Sequence, residues 1–249
     1  MFILQTPRRR RAKEEAEKPF WISFSDLMTA LMVLFLIAMA VALLVLTQSL
    51  RTMEDKRRDR ETTILACLAD MAKITLSPEF DGVKINGQTI DFGPLAEFRK
   101  NSNQLSPDRV EFLRAFVPEV LEIARNKTCQ PWLRRFLVEG FASQEGTYLH
   151  NLNLSLERSQ RVLCVLLDAN APDALKPADR KIIRQQFLVG GSSFNSAILN
   201  QPEKSRRVAL RLEFKELRKE CLPGDAACFV GDASAIPWDE DFRCPVLSR

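Results

Sequence analysis

Histidine is all but missing from this chain, with His150 the single example in 249 residues. No Gly-x-Ser-x-Gly segment accompanies it and no metal ligands cluster around it. A Ser-His hydrolase or a catalytic zinc site therefore lacks its residues, and the chain reads as a non-enzyme that needs no cofactor. Charge is equally scarce from Phe20 to Leu46, where Asp26 is the one exception. Elsewhere acids and bases nearly balance, and a net charge of +4 gives no basis for nucleic-acid binding. Cysteine is absent before and within the apolar run: Cys67, Cys129, Cys164, Cys221, Cys228 and Cys244 all follow it. That distribution suits an oxidising compartment on the C-terminal side.

What is present in the run is a membrane span. Leu27 to Leu46 alone makes about 30 Å of helix, enough to cross the hydrocarbon core. An ionised Asp26 inside it costs about 3 kcal/mol, comparable with the roughly 2.3 kcal/mol that 100 mV of membrane potential exerts on one charge. A group so poised can be loaded from one side and emptied to the other, so ion handling is expected. Capping or snorkelling at the helix end is the plainer alternative. Ser23, Thr29, Ala30 and Val33 share the Asp26 side, and small or hydroxylated residues there permit close helix approach and hydrogen bonding to a carboxyl. A single span cannot enclose its own Asp. Another copy of this chain, a different membrane protein, or both must cover it.

Six basic residues (Arg8, Arg9, Arg10, Arg11, Lys13, Lys18) precede the span and five (Arg51, Lys56, Arg57, Arg58, Arg60) follow it closely. Their balance favours a cytoplasmic N-terminus and an uncleaved signal anchor. The expected division is a basic cytoplasmic tail at 1–19, a transmembrane helix at 20–46, a charged helical linker at 47–80, an outer domain at 81–216 and a cysteine-containing tail at 217–249. Within the linker, Ile64 to Ile74 is amphipathic and suits a spacer or dimer-contact helix, with a plug over the membrane part as the alternative.

Beyond it, alternation about Asn86-Gly87 predicts a hairpin from Val83 to Phe92. Ser106-Pro107 opens a helix through Leu121. Arg135 to Glu139 reads as a strand, a helix is expected from about Leu154 to Leu166 with Ser155 as N-cap, and another from Pro177 to about Gln185. Phe187 to Val189 and Arg207 to Phe214 complete the strands. The fold class is α+β: one N-terminal transmembrane helix plus an α/β sandwich with helices on one sheet face. Cysteine pairing stays open among fifteen arrangements. Cys164, in an apolar stretch, suits a buried free thiol as well as a disulfide, while Cys221, Cys228 and Cys244 look like a staple in the tail, with zinc as a rival.

The order Glu139-Gly140-Phe-Ala-Ser143, then Asn151-Leu-Asn-Leu154-Ser155-Leu-Glu-Arg158-Ser159, then Gly190-Gly191, then Ser205-Arg206-Arg207-Val208 resembles the OmpA-like peptidoglycan-binding domain. That family reads G-H-T-D, N-x-x-L-S-x-x-R-A, a Gly pair and N-R-R-V, and the resemblance covers roughly residues 83–214. Asp26-Leu-Met-Thr-Ala-Leu-Met-x-x-Phe35, after a basic tail, is similar to the span of the MotB stator proteins of the flagellar motor. The Pro19-Phe-Trp-Ile-Ser-Phe-Ser-Asp26 entry and the tail from Cys221 resemble a stator branch serving anti-phage defence more closely than the flagellar one.

The resemblance implies an inner-membrane stator subunit with a periplasmic C-terminal domain. A homodimer would thread through a ring, pentameric in this reading, of multi-pass MotA-like partners, with Asp26 carrying the ion. H⁺ is favoured over Na⁺. Asn151, Leu154 and Arg158, with Ser143 and His150, would line a peptidoglycan site, the Arg158 fork matching stem-peptide carboxylates. The alternatives are a flagellar stator and a static wall anchor. Ser143 departs from the family, which has an Asp there facing the diaminopimelate ammonium. A hydroxyl cannot supply that charge-assisted bond of about 1.5–3 kcal/mol, and Glu145 is the nearest substitute. Phe141 and Ala142 replace His-Thr, Ser205 replaces Asn, and Arg206 with Arg207 is expected as a structural pair. His150 fills a slot that is often aromatic and suits stacking on sugar, or is a plain loop-tip residue.

Overall fold

The computed structural model describes residues 11–216 and 244–246, with side chains described from residue 24. The basic block before residue 11, the side chain of Ser23 and the segment 217–243 with Cys221 and Cys228 lie outside the described residues. Two compact units divide the chain, Met1–Arg58 and Asp59–Arg249.

The first unit holds most of α1 (Arg11–Ile74), a helix of 64 residues. From Phe24 to Leu50 every side chain is exposed. The most apolar window has a mean hydropathy of 2.9 with none of it buried. Leu31, Leu34 and Phe35 are each more than half exposed, a surface that water does not tolerate and that lipid or another helix must cover. The charged stretch from Thr47 continues as helix, as its lack of glycine and proline predicts.

In the second unit, β1 (Lys84–Asn86) and β2 (Thr89–Asp91) form the expected hairpin, with Gly87 at φ 59° in its turn. They are followed by α2 (Pro107–Ala124), β3 (Leu133–Gly140), α3 (Tyr148–Leu167), α4 (Pro177–Gln186), β4 (Phe187–Gly191), α5 (Pro202–Ser205) and β5 (Val208–Phe214). The sheet order is β1-β2-β5-β3-β4. Only β3 and β4 run parallel, because α3 and α4 form the crossover between them; β5 pairs antiparallel with both β2 and β3. An aromatic cluster anchors the core, with Phe80 edge-on to Phe116 at 5.1 Å and Phe92 edge-on to Phe116 at 5.5 Å.

The last turns of α1 belong to this core. Ile64, Cys67, Met71 and Ile74, spaced three and four apart, are buried in it. The amphipathic segment thus spends its apolar face on its own domain, which begins at Asp59 rather than near residue 81. A plug would need that same face free.

Cys67 is bonded to Cys129, 62 residues on, and Cys164 to Cys244. Cys164 is therefore not a free thiol, and Cys244 is tied to α3 rather than stapled within the tail. Arg161 reinforces this attachment by donating to the Val246 carbonyl at 2.9 Å. Helix α3 also begins earlier than expected. Thr147 is its N-cap, accepting from the His150 N–H, whereas Ser155 is fully buried within the helix.

Closing a loop as long as that between Cys67 and Cys129 stabilises by about 4 kcal/mol in the chain-entropy account. Replacing both cysteines by serine should lower the denaturation midpoint accordingly, and reductant should do the same to the parent chain. An unchanged midpoint would mean that burial alone holds the helix.

Candidate functional site

Two candidate sites stand in separate units. In the first, Asp26 is exposed on the apolar part of α1. Thr29, one turn on, donates its hydroxyl to the Ser25 and Asp26 carbonyl oxygens, both at 2.9 Å. The hydroxyl expected beside the carboxyl is thus engaged with the helix backbone, the usual choice of a helical threonine in an apolar setting. Ala30 and Val33 keep that side low.

The second site is built on the start of α3, and two glycines decide where that helix lies. A Cβ at Gly140 would fall 1.9 Å from the Ser155 carbonyl oxygen, and one at Gly191 would fall 2.7 Å from the Ser155 hydroxyl. The parallel ends of β3 and β4 thereby admit the helix backbone directly against the sheet. Ser155, small enough for the gap, donates to the Leu152 carbonyl at 2.8 Å and accepts from the Ser193 N–H at 3.1 Å. Ser193 takes the left-handed conformation at φ 52° and donates its hydroxyl to the Tyr148 carbonyl at 3.0 Å. Strand end, helix and following loop are locked together by hydroxyls.

With α3 so placed, Asn151, Leu154 and Arg158 point inward along one face, at 2%, 3% and 0% exposure. Asn151 Nδ2 donates to the Glu145 carbonyl at 2.9 Å, tying down the loop that follows Ser143. Arg158 donates from Nε to the Ser102 carbonyl at 3.0 Å, from Nη1 to Phe141 at 2.8 Å and from Nη2 to Arg99 at 3.1 Å. Its guanidinium also lies over the Phe98 ring at 5.2 Å. Burial, then the neighbouring Arg206, lowers its pKa to about 10, with Glu157 opposing, so it remains a cation at neutral pH. The sequence suggested that this fork reaches out to a ligand carboxylate. In this arrangement it is a buried clamp between two loops.

Ser143 is buried, two residues after the Phe141 carbonyl that the clamp holds, and His150 is exposed in the first turn of α3. Tyr148, also exposed, meets Phe194 edge-on at 5.7 Å. Phe141, in the place of the family histidine, carries the Arg207 guanidinium over its ring at 4.6 Å, and Arg207 pairs with Asp91 at 3.2 Å. Arg206 Nε donates to the Phe98 carbonyl at 3.2 Å, so both arginines are structural, as expected. Ser205 is buried, accepting from the Ile198 N–H at 2.8 Å and donating to Gln201 at 3.0 Å. Sequence reasoning missed Lys100, whose ammonium lies 3.1 Å from the Glu145 carboxylate. Nothing in the local pattern marks it, because the loop that carries it is brought there by Arg158. Among the described residues no group of three or more His, Cys, Asp or Glu side chains is placed to hold a metal ion.

Residues 7–47 match the family described as membrane MotB of the proton-channel complex MotA/MotB. Together with the outer α/β unit, this defines a MotB-like membrane protein. The chain is 37% identical over 225 residues to the Zorya protein ZorB of Escherichia coli O139:H28 (strain E24377A / ETEC), covering 89% of this chain and 91% of that relative. It belongs to the ZorB family. Solved structures similar to it include the OmpA-like domain of FopA1 from Francisella tularensis subsp. tularensis SCHU S4, at 17% identity. That match covers 54% of this chain and 82% of the other, with a TM-score of 0.35. The periplasmic domain of Helicobacter pylori MotB (residues 90–256) matches at 14% identity over 55% of this chain and 82% of that one, with a TM-score of 0.39.

Arg158→Leu removes three charge-assisted bonds at once and leaves the inward Phe141 carbonyl without its donor. A loss of about 3 kcal/mol is expected, seen as a fall of roughly 10 °C in thermal midpoint for the full chain in detergent. An unchanged midpoint would show that the loops do not depend on the clamp.

Proposed function

We propose that this chain is the wall-anchored stator subunit of an ion-driven motor in the bacterial inner membrane, and that the motor serves anti-phage defence of the Zorya type. The observation that carries this reading is a lone carboxylate, Asp26, on an exposed apolar helix that cannot cover it. Asp26 is the ion carrier, and H⁺ rather than Na⁺ is the ion, a choice supported by the proton-channel description of the matching family. The cover is a multi-pass partner of the MotA or ZorA kind, five copies arranged around a homodimer of this chain. Its helices supply the protein surface that Leu31, Leu34 and Phe35 lack within one chain.

The N-terminus lies in the cytoplasm and the outer domain in the periplasm. Two disulfides beyond the span support this orientation, since such bonds persist only in an oxidising compartment. There the outer domain binds peptidoglycan at the start of α3. His150 and the Glu145 loop form the accessible part, while Ser143, Asn151, Leu154 and Arg158 lie beneath and hold it in shape. The wall hold gives the ion cycle a fixed point to work against.

Asp26→Asn tests this against a static anchor, which has no use for an acid in its span. The amide cannot exchange a proton, so protection against phage and proton flux through the assembled complex should both be lost at normal expression. Full protection in that variant would reject Asp26 as the carrier.

A further inference from the structure

The two disulfides of the outer domain stand in opposite surroundings. Cys67 and Cys129 are 1% and 0% exposed, closed inside the core. Cys244, by contrast, is exposed, and it shares a cavity of about 410 Å³ between α2 and α3 with its bonded partner Cys164. Arg114 and Arg161 line the same cavity. Arg114 is fully engaged: Nε and Nη2 donate to the Val165 carbonyl at 3.1 and 3.0 Å, and the guanidinium pairs with Asp173 and, at 3.9 Å, with Asp168. Arg161 has weaker company. Its Nη2 donates to the Val246 carbonyl at 2.9 Å and lies 3.4 Å from Asn103, while Nη1 meets the Cys244 sulfur at 3.6 Å. Its Nε is buried without a partner among the described residues, none of which gives this cation a carboxylate.

We propose that Cys164–Cys244 is a reactive disulfide, a modification site that takes a small carboxylate-bearing thiol onto Cys244, with Arg161 receiving the carboxylate. The cavity suits a reagent about the size of a tripeptide. The incoming thiolate attacks the exposed Cys244 sulfur, the Cys164–Cys244 bond breaks, and its electron pair leaves on Cys164 as a thiolate that water then protonates. One disulfide replaces another, so the exchange needs no outside oxidant or reductant. Arg161, three residues before Cys164 on α3, and Arg114 are placed to stabilise that thiolate, because neighbouring cations favour the ionised form of a thiol. A carboxylate gives Arg161 the charged partner it lacks, and a guanidinium fork is the donor best matched to it. The consequence is local. Once Cys244 carries the adduct, the Arg161 bond to the Val246 carbonyl is what remains of the printed attachments of segment 244–246 to α3, and the arriving carboxylate competes for that donor. The modification thus loosens the C-terminal segment from the helix that carries the outer site.

The test treats the full chain in detergent with reduced glutathione, traps free thiols by alkylation and maps the products by mass spectrometry. Glutathione should appear on Cys244 with Cys164 alkylated, while Cys67–Cys129 stays intact. At equal thiolate concentration glutathione should react about tenfold or more faster than β-mercaptoethanol, which has no carboxylate, the worth of one charge-assisted bond. Arg161→Gln should bring that ratio close to unity, and Arg161→Lys, which keeps the charge, should hold it well above. A peptide map of the untreated variants showing both disulfides, with an unaltered thermal midpoint, confirms folding. Exchange at Cys67–Cys129 as fast as at Cys164–Cys244, or no preference for glutathione in the parent chain, overturns the proposal. A preference in Arg161→Gln equal to the parent's removes Arg161 as the receptor and overturns it as well.

Discussion

The close approach of α3 to the ends of β3 and β4 is the contact on which the outer site depends. It leaves no room for a side chain at Gly140, where a Cβ would overlap the Ser155 carbonyl oxygen. Moving the helix out by the width of a methyl group would shift Asn151 and Arg158 away from the carbonyls they hold. The ends of β3 and β4 and the loops at 99–102 and 141–147 converge there. Their positions are set by side-chain donors on one helix face, at the spacing of 151, 154–155 and 158. The resemblance block is therefore a structural device first. Its Asn and Arg shape the surface they do not themselves reach.

The membrane unit obeys the opposite logic. Within the outer domain Arg158, a fully buried charge, finds three carbonyls along its own chain. On α1, Asp26 sits on a helix whose apolar residues from Leu27 to Leu46 are all exposed. Lipid can cover leucine and phenylalanine, but not an ionised carboxylate at comparable free energy. The demand for a partner thus comes from one residue and not from the surface as a whole.

Much of this was legible in the sequence because it is local. The span, the hairpin at Asn86-Gly87, the Ser106-Pro107 helix start and the two later strands each follow from periodicity, capping or turn chemistry within a few residues. What escaped was what depends on distance in the chain. Ser155 precedes an apolar run and so imitates an N-cap, whereas the helix starts a full two turns earlier, at Thr147, where apolar and polar residues are mixed. The apolar face of Ile64 to Ile74 could have served a plug, a dimer or a core equally well. Only its bond to Cys129 and its neighbours in the aromatic cluster decide the matter. Lys100 is separated from Glu145 by all of α2 and all of β3, and no spacing rule connects them.

The departures at Phe141, Ala142 and Ser143 are coherent once their surroundings are seen. A phenylalanine at 141 gives Arg207 a ring to lie on, while its carbonyl accepts from Arg158 and its N–H donates to the Arg207 carbonyl at 2.9 Å. An Asp at the buried position 143, with the Arg158 guanidinium already committed to three carbonyls, would add a charge that needs its own partner or ligand. Serine avoids that burden. The acid has in effect moved two residues outward to Glu145, where water solvates it and Lys100 balances it. A carboxylate at 143 would be buried, whereas the one at 145 is exposed and exchangeable with solvent.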